Sequence, residues 1–340
     1  MLFIDGFEQF KDDPNLDKAL PRAGYGYNRL GALMPIAGRS LGGTGLRTVG
    51  SAFSRKLPWL SNKFSAGFAS FMETRGVLLT LRFTNDVSVV VWVNPETGIP
   101  MLGGKEGGSL PWLKTWYYYE IEIDRTTGQA DLVINGRAEV QSYALPPAVL
   151  TANEVTVVWG TAPVNDGPPG FPPTRNLGHT ATYDDVYAHD GPRMTPLAIT
   201  TRFATSTLSA GWEHSPVAGS NHGAVSLRPP KPLDVNVQAA AIGTTDVYAS
   251  TMPLVNNNEI VATGVCVLAR KSPELDAALG VFIGDNANAV YRDGSIELSG
   301  DWVTRYITFL PNPVPDPMLP VDTKAGLEAA PFGIQVAASP

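Results

Sequence analysis

The chain has 340 residues, 44% of them hydrophobic, with Gly 34 and Pro 29. At about 100–200 residues per domain two domains are expected, and the glycine and proline content, well above an average of about 12%, favours short strands and turns over long helices. Basic residues number 25 against 32 acidic, a net charge of −7 without clustered cations, which argues against a nucleic-acid partner.

In chain order, Met1-Leu-Phe-Ile-Asp-Gly-Phe-Glu-Gln-Phe10 reads as a first strand running into a turn. It acquires acids at once and has no cationic leader, so no secretory signal is expected and the protein should be made in a cytoplasm. No apolar run approaches ~18 residues, so no membrane insertion is expected. Residues 11–50 read as irregular. Within them, Gly38-Arg-Ser-Leu-Gly-Gly-Thr-Gly45 lacks the Gly-Lys-Ser/Thr ending of a phosphate loop and reads as a loop between strands. Strands are expected over 64–73, 77–84 and 87–93, separated by Gly, Asn or Asp.

The clearest element is Trp116-Tyr-Tyr-Tyr-Glu-Ile-Glu-Ile-Asp124, followed by Arg-Thr-Thr-Gly128 and a return strand ending at Asn135-Gly136. Tyr118, Glu120, Glu122 and Asp124 alternate with Tyr119, Ile121 and Ile123, the period of a strand with one polar and one apolar face. Gly128 supplies a turn residue free to take positive φ. Such a hairpin belongs to an antiparallel sheet packed on one side. Further strands are expected at 137–143, 154–160 and 180–188, with a helical turn in 145–153 and a Pro/Gly-rich loop over 160–178. A break at Asp190-Gly-Pro192 places one domain at 1–195 and a second at 196–340. In the second, strands are expected at 198–204, 223–227, 233–240, 246–251, 259–270, 278–284, 288–292, 295–298, 302–310 and 331–336. The 259–270 segment has the composition of a central strand, and Pro311–Pro320 reads as an extended loop. The fold class is all-β: two antiparallel β-sandwich (jelly-roll) domains in tandem.

Chemistry is less legible. Glu120, Glu122 and Asp124 share a face, with neighbours ~6.5–7 Å apart along the strand. A retaining glycosidase needs two carboxylates at about 5–5.5 Å. The Glu-x-Glu-x-Asp spacing resembles the catalytic strand of laminarinase-like glucanases, but the residue order departs from that family's Glu-x-Asp-x-x-Glu. The ordinary reading is a water-facing acidic row. Asp184 and Asp185 are adjacent on a strand, so they should face opposite ways and serve local hydrogen bonds. The four histidines, His179, His189, His214 and His222, lie at no metal-ligand spacing, and no Gly-x-Ser-x-Gly elbow is present. Cys266, between Val265 and Val267, reads as a small core residue. Trp92 and Trp159 sit in apolar strands and read as core. Trp59, Trp112 and Trp116 lie near loops, where they are candidates for stacking on sugar or for an interface.

The residues Ile4-Asp-Gly-Phe7, Tyr118–Asp124 with Thr127-Gly128 and Asn135-Gly136, and Tyr183-Asp-Asp-Val-Tyr187 with Asp190-Gly191 carry a resemblance. It is to the concanavalin A-like (laminin G-like) jelly rolls of tailed-bacteriophage structural proteins. Trp212 with Gly219-Ser-Asn-His222, Asp246-Val-Tyr248, Val267-Leu-Ala-Arg-Lys271 and Phe332-Gly-Ile-Gln-Val336 are similar to the domain that follows there. The resemblance implies a structural virion protein in tail, baseplate or tail fibre, or as a head decoration protein. Its implied partners are other virion proteins, itself as a homo-oligomer with a trimer favoured, and host surface carbohydrate. It brings no catalytic residue, metal or cofactor, so no enzymatic role is expected. The candidate glycan or interface residues are Trp59, Trp112, Trp116, Tyr118, Glu120, Glu122 and Asp124. Two alternatives stand beside it: a glycan depolymerase using the carboxylates of strand 120–124, and a carbohydrate-binding module outside any virion.

Overall fold

The computed structural model describes residues 2–28, 31–40, 43–84, 87–161, 179–194, 197, 199, 201–216, 219–228, 230–250, 262–274, 276–284, 291–309 and 330–338. The chain divides into two compact units, Met1–Pro21 with Tyr25–Ile199, and Arg22–Gly24 with Thr200–Pro340.

The first unit is built from β1 (Leu2–Asp5), α1 (Leu16–Arg22), β2 (Gly26–Asn28), β3 (Ala32–Ala37), β4 (Thr44–Val49), β5 (Ala52–Pro58), β6 (Lys63–Met72), β7 (Val77–Phe83) and β8 (Ser88–Val93). Then follow β9 (Pro100–Leu102), β10 (Lys105–Glu106), β11 (Trp116–Asp124), β12 (Gln129–Ile134), β13 (Arg137–Ala144), β14 (Glu154–Gly160) and β15 (Thr180–His189). They form two antiparallel sheets. One runs β13-β12-β11-β6-β15-β4-β3 with β1 also on β15; the other runs β10-β9-β8-β7-β14-β5-β2. Strands 116–124 and 180–189 are thus neighbours of β6, which lies between them. The sandwich core forms where the inner faces meet. Phe53 packs edge-on against Tyr183 and stacks on Trp159 at 5.3 Å, and the Tyr183 hydroxyl crosses to Leu78 O. Tyr119 stacks on Phe68 on the same inner face.

Gly38 and Gly43 lie between the paired strands β3 and β4, and Gly38 N donates to Gly43 O. The expectation of irregular structure over 11–50 is corrected, since α1 and three strands lie there. Their apolar residues are interrupted by Gly and Pro, which hides the period. The turn in 145–153 is a short 3₁₀ helix at Pro147–Thr151. The 162–178 part of the expected loop lies outside the described residues, as does Pro311–Pro320.

The second unit contains β16 (Ser206–Ala210), β17 (Glu213–Ser215), α2 (Asn221–Val225), β18 (Asn236–Gln238), β19 (Thr245–Ala249), β20 (Thr263–Ala269), β21 (Ala277–Ile283), β22 (Tyr291–Ile296), β23 (Val303–Phe309) and β24 (Phe332–Ala338). A sheet of order β16-β19-β24-β21-β22 is joined by the pairs β17-β18 and β20-β23. Tyr248, Leu279, Val281 and Ile334 form the core, against which Val265, Val267, Ala269 and Ile307 pack from the β20–β23 pair. Four expectations change here. Residues 201–204 are not strand, and 223–227 fall largely in α2, whose N-cap Ser220 accepts from Gly223 N. β20 is no central strand: among the described residues its ladder is with β23. Alternation sends Val265 and Val267 inward, so Cys266 faces out and is exposed rather than core.

Asp246 organises this unit from a fully buried position. Its Oδ1 accepts from Gly211 N at 2.7 Å and Trp212 N at 2.8 Å, and its Oδ2 from Asn221 Nδ2 and the Tyr248 hydroxyl, both at 2.7 Å. A buried carboxylate needs such a full set of donors to offset desolvation.

Candidate functional site

Alternation along β11 places Trp116, Tyr118, Glu120, Glu122 and Asp124 on the outer face of the first sheet, opposite the Tyr119–Phe68 core. The row is about 27 Å long, and its members meet different surroundings. Trp116 is half-buried, with its ring 5.7 Å from Phe71. Tyr118 is 2% and Glu120 1% exposed, which corrects the expectation of a water-facing acidic row. Glu122 and Asp124 are partly exposed at the far end.

Tyr187 explains the burial of Glu120. Both residues pair across β6 with Gly67. A Cβ at position 67 would overlap the Tyr187 ring, so the missing side chain is what lets the ring lie across β6. The Tyr187 hydroxyl donates to Glu120 Oε1 at 3.0 Å. Burial pushes the Glu120 carboxyl up to about 7, against the opposing pull of the Tyr187 hydroxyl and Arg193. Burial by itself would raise Glu122 as well. Lys63 Nζ at 2.7 Å from Oε1 and Arg193 N at 2.7 Å from Oε2 reverse that, and Glu122 is held below the ordinary carboxylate range.

A β-bulge brings in the next acids. β15 shifts register against β6 between Asp184 and Tyr187, and Asp185 takes φ 49. The extra residue sets Asp184 and Tyr187 opposite outer-face partners, Ala69 and Gly67. The expectation that Asp184 and Asp185 face opposite ways is corrected, since Arg39 meets both; the expected local hydrogen bonds are what they make. Asp184 Oδ1 accepts from Asp185 N at 2.8 Å and its Oδ2 from Arg39 N at 2.6 Å, while the Arg39 guanidinium reaches Asp185 Oδ2 at 3.2 Å. Burial, then mutual repulsion, raises Asp184. The backbone after β15 lies over this layer. Arg193 N is on Glu122, Met194 N donates to the Tyr187 hydroxyl at 3.3 Å, and Ile199 N donates to Asp185 Oδ1 at 2.7 Å.

Among the described residues, either end of this β11 row opens onto an exposed surface. At the acidic end, Lys63, Glu122, Asp124, Thr127, Gln129 and Asp131 line a polar depression of about 180 Å³. Asp124 Oδ1 is used by Thr126 N at 2.7 Å and Asp131 Oδ1 by Ser142 N at 2.7 Å. At the other end, the loop before β11 presents Leu110, Trp112 and Leu113, with Trp112 75% exposed. That loop is nailed down on both sides of its tip. Gly107 N donates to Pro100 O; Gly108 N and Ser109 N donate to Glu139 Oε2 at 3.0 and 2.8 Å; Lys114 N donates to Met72 O at 2.7 Å. Trp112 N itself donates to the Tyr117 hydroxyl at 3.1 Å.

Trp59 leaves the set of candidate contacts. It is fully buried between Phe64 and Phe83, with the Arg125 guanidinium 3.6 Å from its ring centroid. Its position just after β5 looks loop-like in sequence, but the ring turns inward. Of the aromatic and acidic residues singled out from sequence, the structure leaves Trp112, Trp116, Glu122 and Asp124 accessible and does not gather them in one groove. Sequence reading missed Tyr187, Arg39, Lys63, Leu110 and Leu113. A glycine inside an apolar strand at 67 was the signal for a close approach.

No protein-family model matches the chain, and no curated protein matches it. Among solved structures, a sialidase is 13% identical with a TM-score of 0.37, over 55% of this chain and 18% of its own. Domain 4 of a GH43 extracellular arabinanase from Geobacillus stearothermophilus, solved with arabinotriose, is 16% identical with a TM-score of 0.29, over 46% of this chain and 77% of the domain. The carbohydrate-binding module CBM66 from Bacillus subtilis is 11% identical with a TM-score of 0.31, over 49% of this chain and 96% of the module. This chain therefore spans under a fifth of the sialidase. The structures it is similar to are carbohydrate-binding and glycosidase-associated β-sandwich domains, and the virion assignment stays with the sequence resemblance alone. The expectation of no enzymatic role is corrected, because sialidases and a glycosidase domain stand among these matches beside the binding module.

Proposed function

We propose that the chain is a glycan-contacting β-sandwich protein, and that its contact surface is the Leu110–Leu113 tip of the loop before β11. The observation that carries this is Trp112: a large apolar face held out in water on a loop whose backbone is fixed at five N–H groups on either side of it and within it. Exposing an indole is costly unless something covers it, and a fixed platform binds with less ordering entropy than a floppy one. The apolar C–H face of a sugar ring suits a lone indole flanked by aliphatic residues. The finer assignment, a tail, baseplate or fibre protein of a tailed phage acting as a trimer, is supported by the order of the sequence motifs. Glycan-array binding by the native protein and by Trp112→Ala tests the contact. Loss of binding in the variant, with its melting temperature kept, is the expected result; unchanged binding, or none by the native protein, sinks the reading. Presence of the protein in purified particles, and a native mass of three copies, test the virion part.

A second reading is favoured by the split between Glu120, raised to about 7, and Glu122, held low. Environments that push two carboxyls apart assign an acid and a base, and the two residues follow each other on one strand face, ~6.5–7 Å apart along the backbone. Glu122→Gln in a capsule-clearing assay decides it: abolished clearing supports glycan hydrolysis, unchanged clearing removes it.

A further inference from the structure

The loop that carries Trp112 runs directly into the first residue of β11. Trp116 is the fourth residue after Trp112, so their Cα atoms lie at most about 14 Å apart. Between them Lys114 N donates to Met72 O, one position beyond Phe71. Trp116 opens a rung that crosses five strands on the outer face of the sheet. It pairs with Phe71, Phe71 with Thr182, Thr182 with Arg47 and Arg47 with Met34. Residues opposite one another in antiparallel strands share a face, and four strand spacings make the rung about 19 Å long.

One end of the rung is aromatic and the other polar. The Trp116 and Phe71 rings are half-buried, 5.7 Å apart and tilted by 52°. Thr182 is a buried floor between them and Arg47. Arg47 Nε and Nη2 hold the two Glu73 oxygens at 2.6 and 2.8 Å, with both side chains partly exposed. Arg47 Nη1 faces Met34 Sδ at 3.9 Å, and a thioether is a weak acceptor. A guanidinium has five N–H groups and a carboxylate about four acceptor positions. Among the described residues this fork therefore keeps N–H groups and oxygen lone pairs unused, side by side.

These groups suit a sugar chain. The C–H faces of its rings match the indole and benzyl faces, and a sugar hydroxyl, donor and acceptor at once, matches the fork. A peptide gains less here. β11, β6, β15 and β4 are each paired on both sides, so a peptide finds no strand edge along them to extend. Given the glycan contact at the Trp112 tip, on which this rests, we propose that the ligand is an extended oligosaccharide whose chain continues from the tip onto Trp116 and Phe71 and reaches the Arg47–Glu73 fork. The tip grips one ring and the rung those that follow.

Binding of the full chain to arabino-, xylo-, manno- and cello-oligosaccharides, each series running from one ring to six, tests it. In a series that binds, the longer members should bind roughly tenfold or more tighter than the single sugar. Trp112→Ala should weaken every length. Trp116→Ala should erase the length advantage at an unchanged melting temperature. So should Arg47→Lys, which keeps the charge but not the planar fork, and Glu73→Gln tests the fork from its acceptor side if either variant does not fold. A single sugar bound as tightly as its longer relatives overturns the extended site and leaves the tip contact standing. So does a length advantage of native size in these rung variants. No binding by the native chain, or binding untouched by Trp112→Ala, sinks the tip contact and the extended site with it.

Discussion

Gly67 shows how one missing side chain can set an electrostatic state. The Tyr187 ring occupies the space a Cβ would need, and only from there does its hydroxyl reach Glu120. Gly67→Ala should therefore destabilise the first unit by about 1–3 kcal/mol through overpacking, measured by urea unfolding. Adding Tyr187→Ala should recover part of the loss from Gly67→Ala; a double variant equal to the sum of the two singles would show that the ring and the glycine are not coupled. Asp246 makes the opposite case, four donors converging on one buried carboxylate. Asp246→Ala strands those donors and should cost about 3–5 kcal/mol. A loss under 1 kcal/mol by the same measurement would mean water replaces the carboxylate. From sequence, Asp246-Val-Tyr248 was visible as a motif, but not that its acid would be shared by Trp212 and Asn221, which lie far along the chain.

At the scale of elements, strands are legible where an alternating or continuous apolar run is bounded by turn residues. β6, β7, β8, β11, β14 and β15 fall within a residue or two of their expected bounds, because each is rich in β-branched and aromatic residues between Gly, Asn or Asp breaks. What the pattern could not show was a second cover. An outward polar residue reads as solvated, yet Glu120 is enclosed by the Tyr187 ring lying across β6, and Tyr118 lies under the Arg39 guanidinium. The loop before β11 was legible in its exposed tryptophan but not in its anchors, since Glu139 sits on a different strand. Glu139→Ala frees the Gly108 and Ser109 N–H groups to water and should leave the fold intact. It should weaken glycan binding about 3–10-fold by restoring loop entropy. Titration calorimetry on native and variant proteins checks this, and equal affinities would mean the loop needs no pinning.

For the whole molecule, two classes of carboxyl oppose each other. Glu120 binds its proton more tightly folded than unfolded, so its contribution is complete below about 4.5 and is lost as pH climbs toward about 7. Glu73 is held low by Arg47, and Glu122 by Lys63 despite burial; both contribute above the ordinary carboxylate range and lose it as pH falls. The melting transition that carries the first unit should be highest near about pH 5 and drop on either side. Scanning calorimetry at constant ionic strength reads this, and Glu120→Gln should flatten the alkaline limb; a transition rising steadily from pH 5 to pH 8 contradicts the assignment. The bulge at Asp184–Tyr187 carries one more implication. A two-residue repeat has only two phases, and the extra residue there switches the chain from one to the other. Removing Asp185 would close the bulge: Val186 would fall opposite Phe68 on the inner face and Tyr187 would stay opposite Gly67 on the outer one, so this point of β15 should accept the loss of one residue where a deletion elsewhere in the strand would reverse its faces.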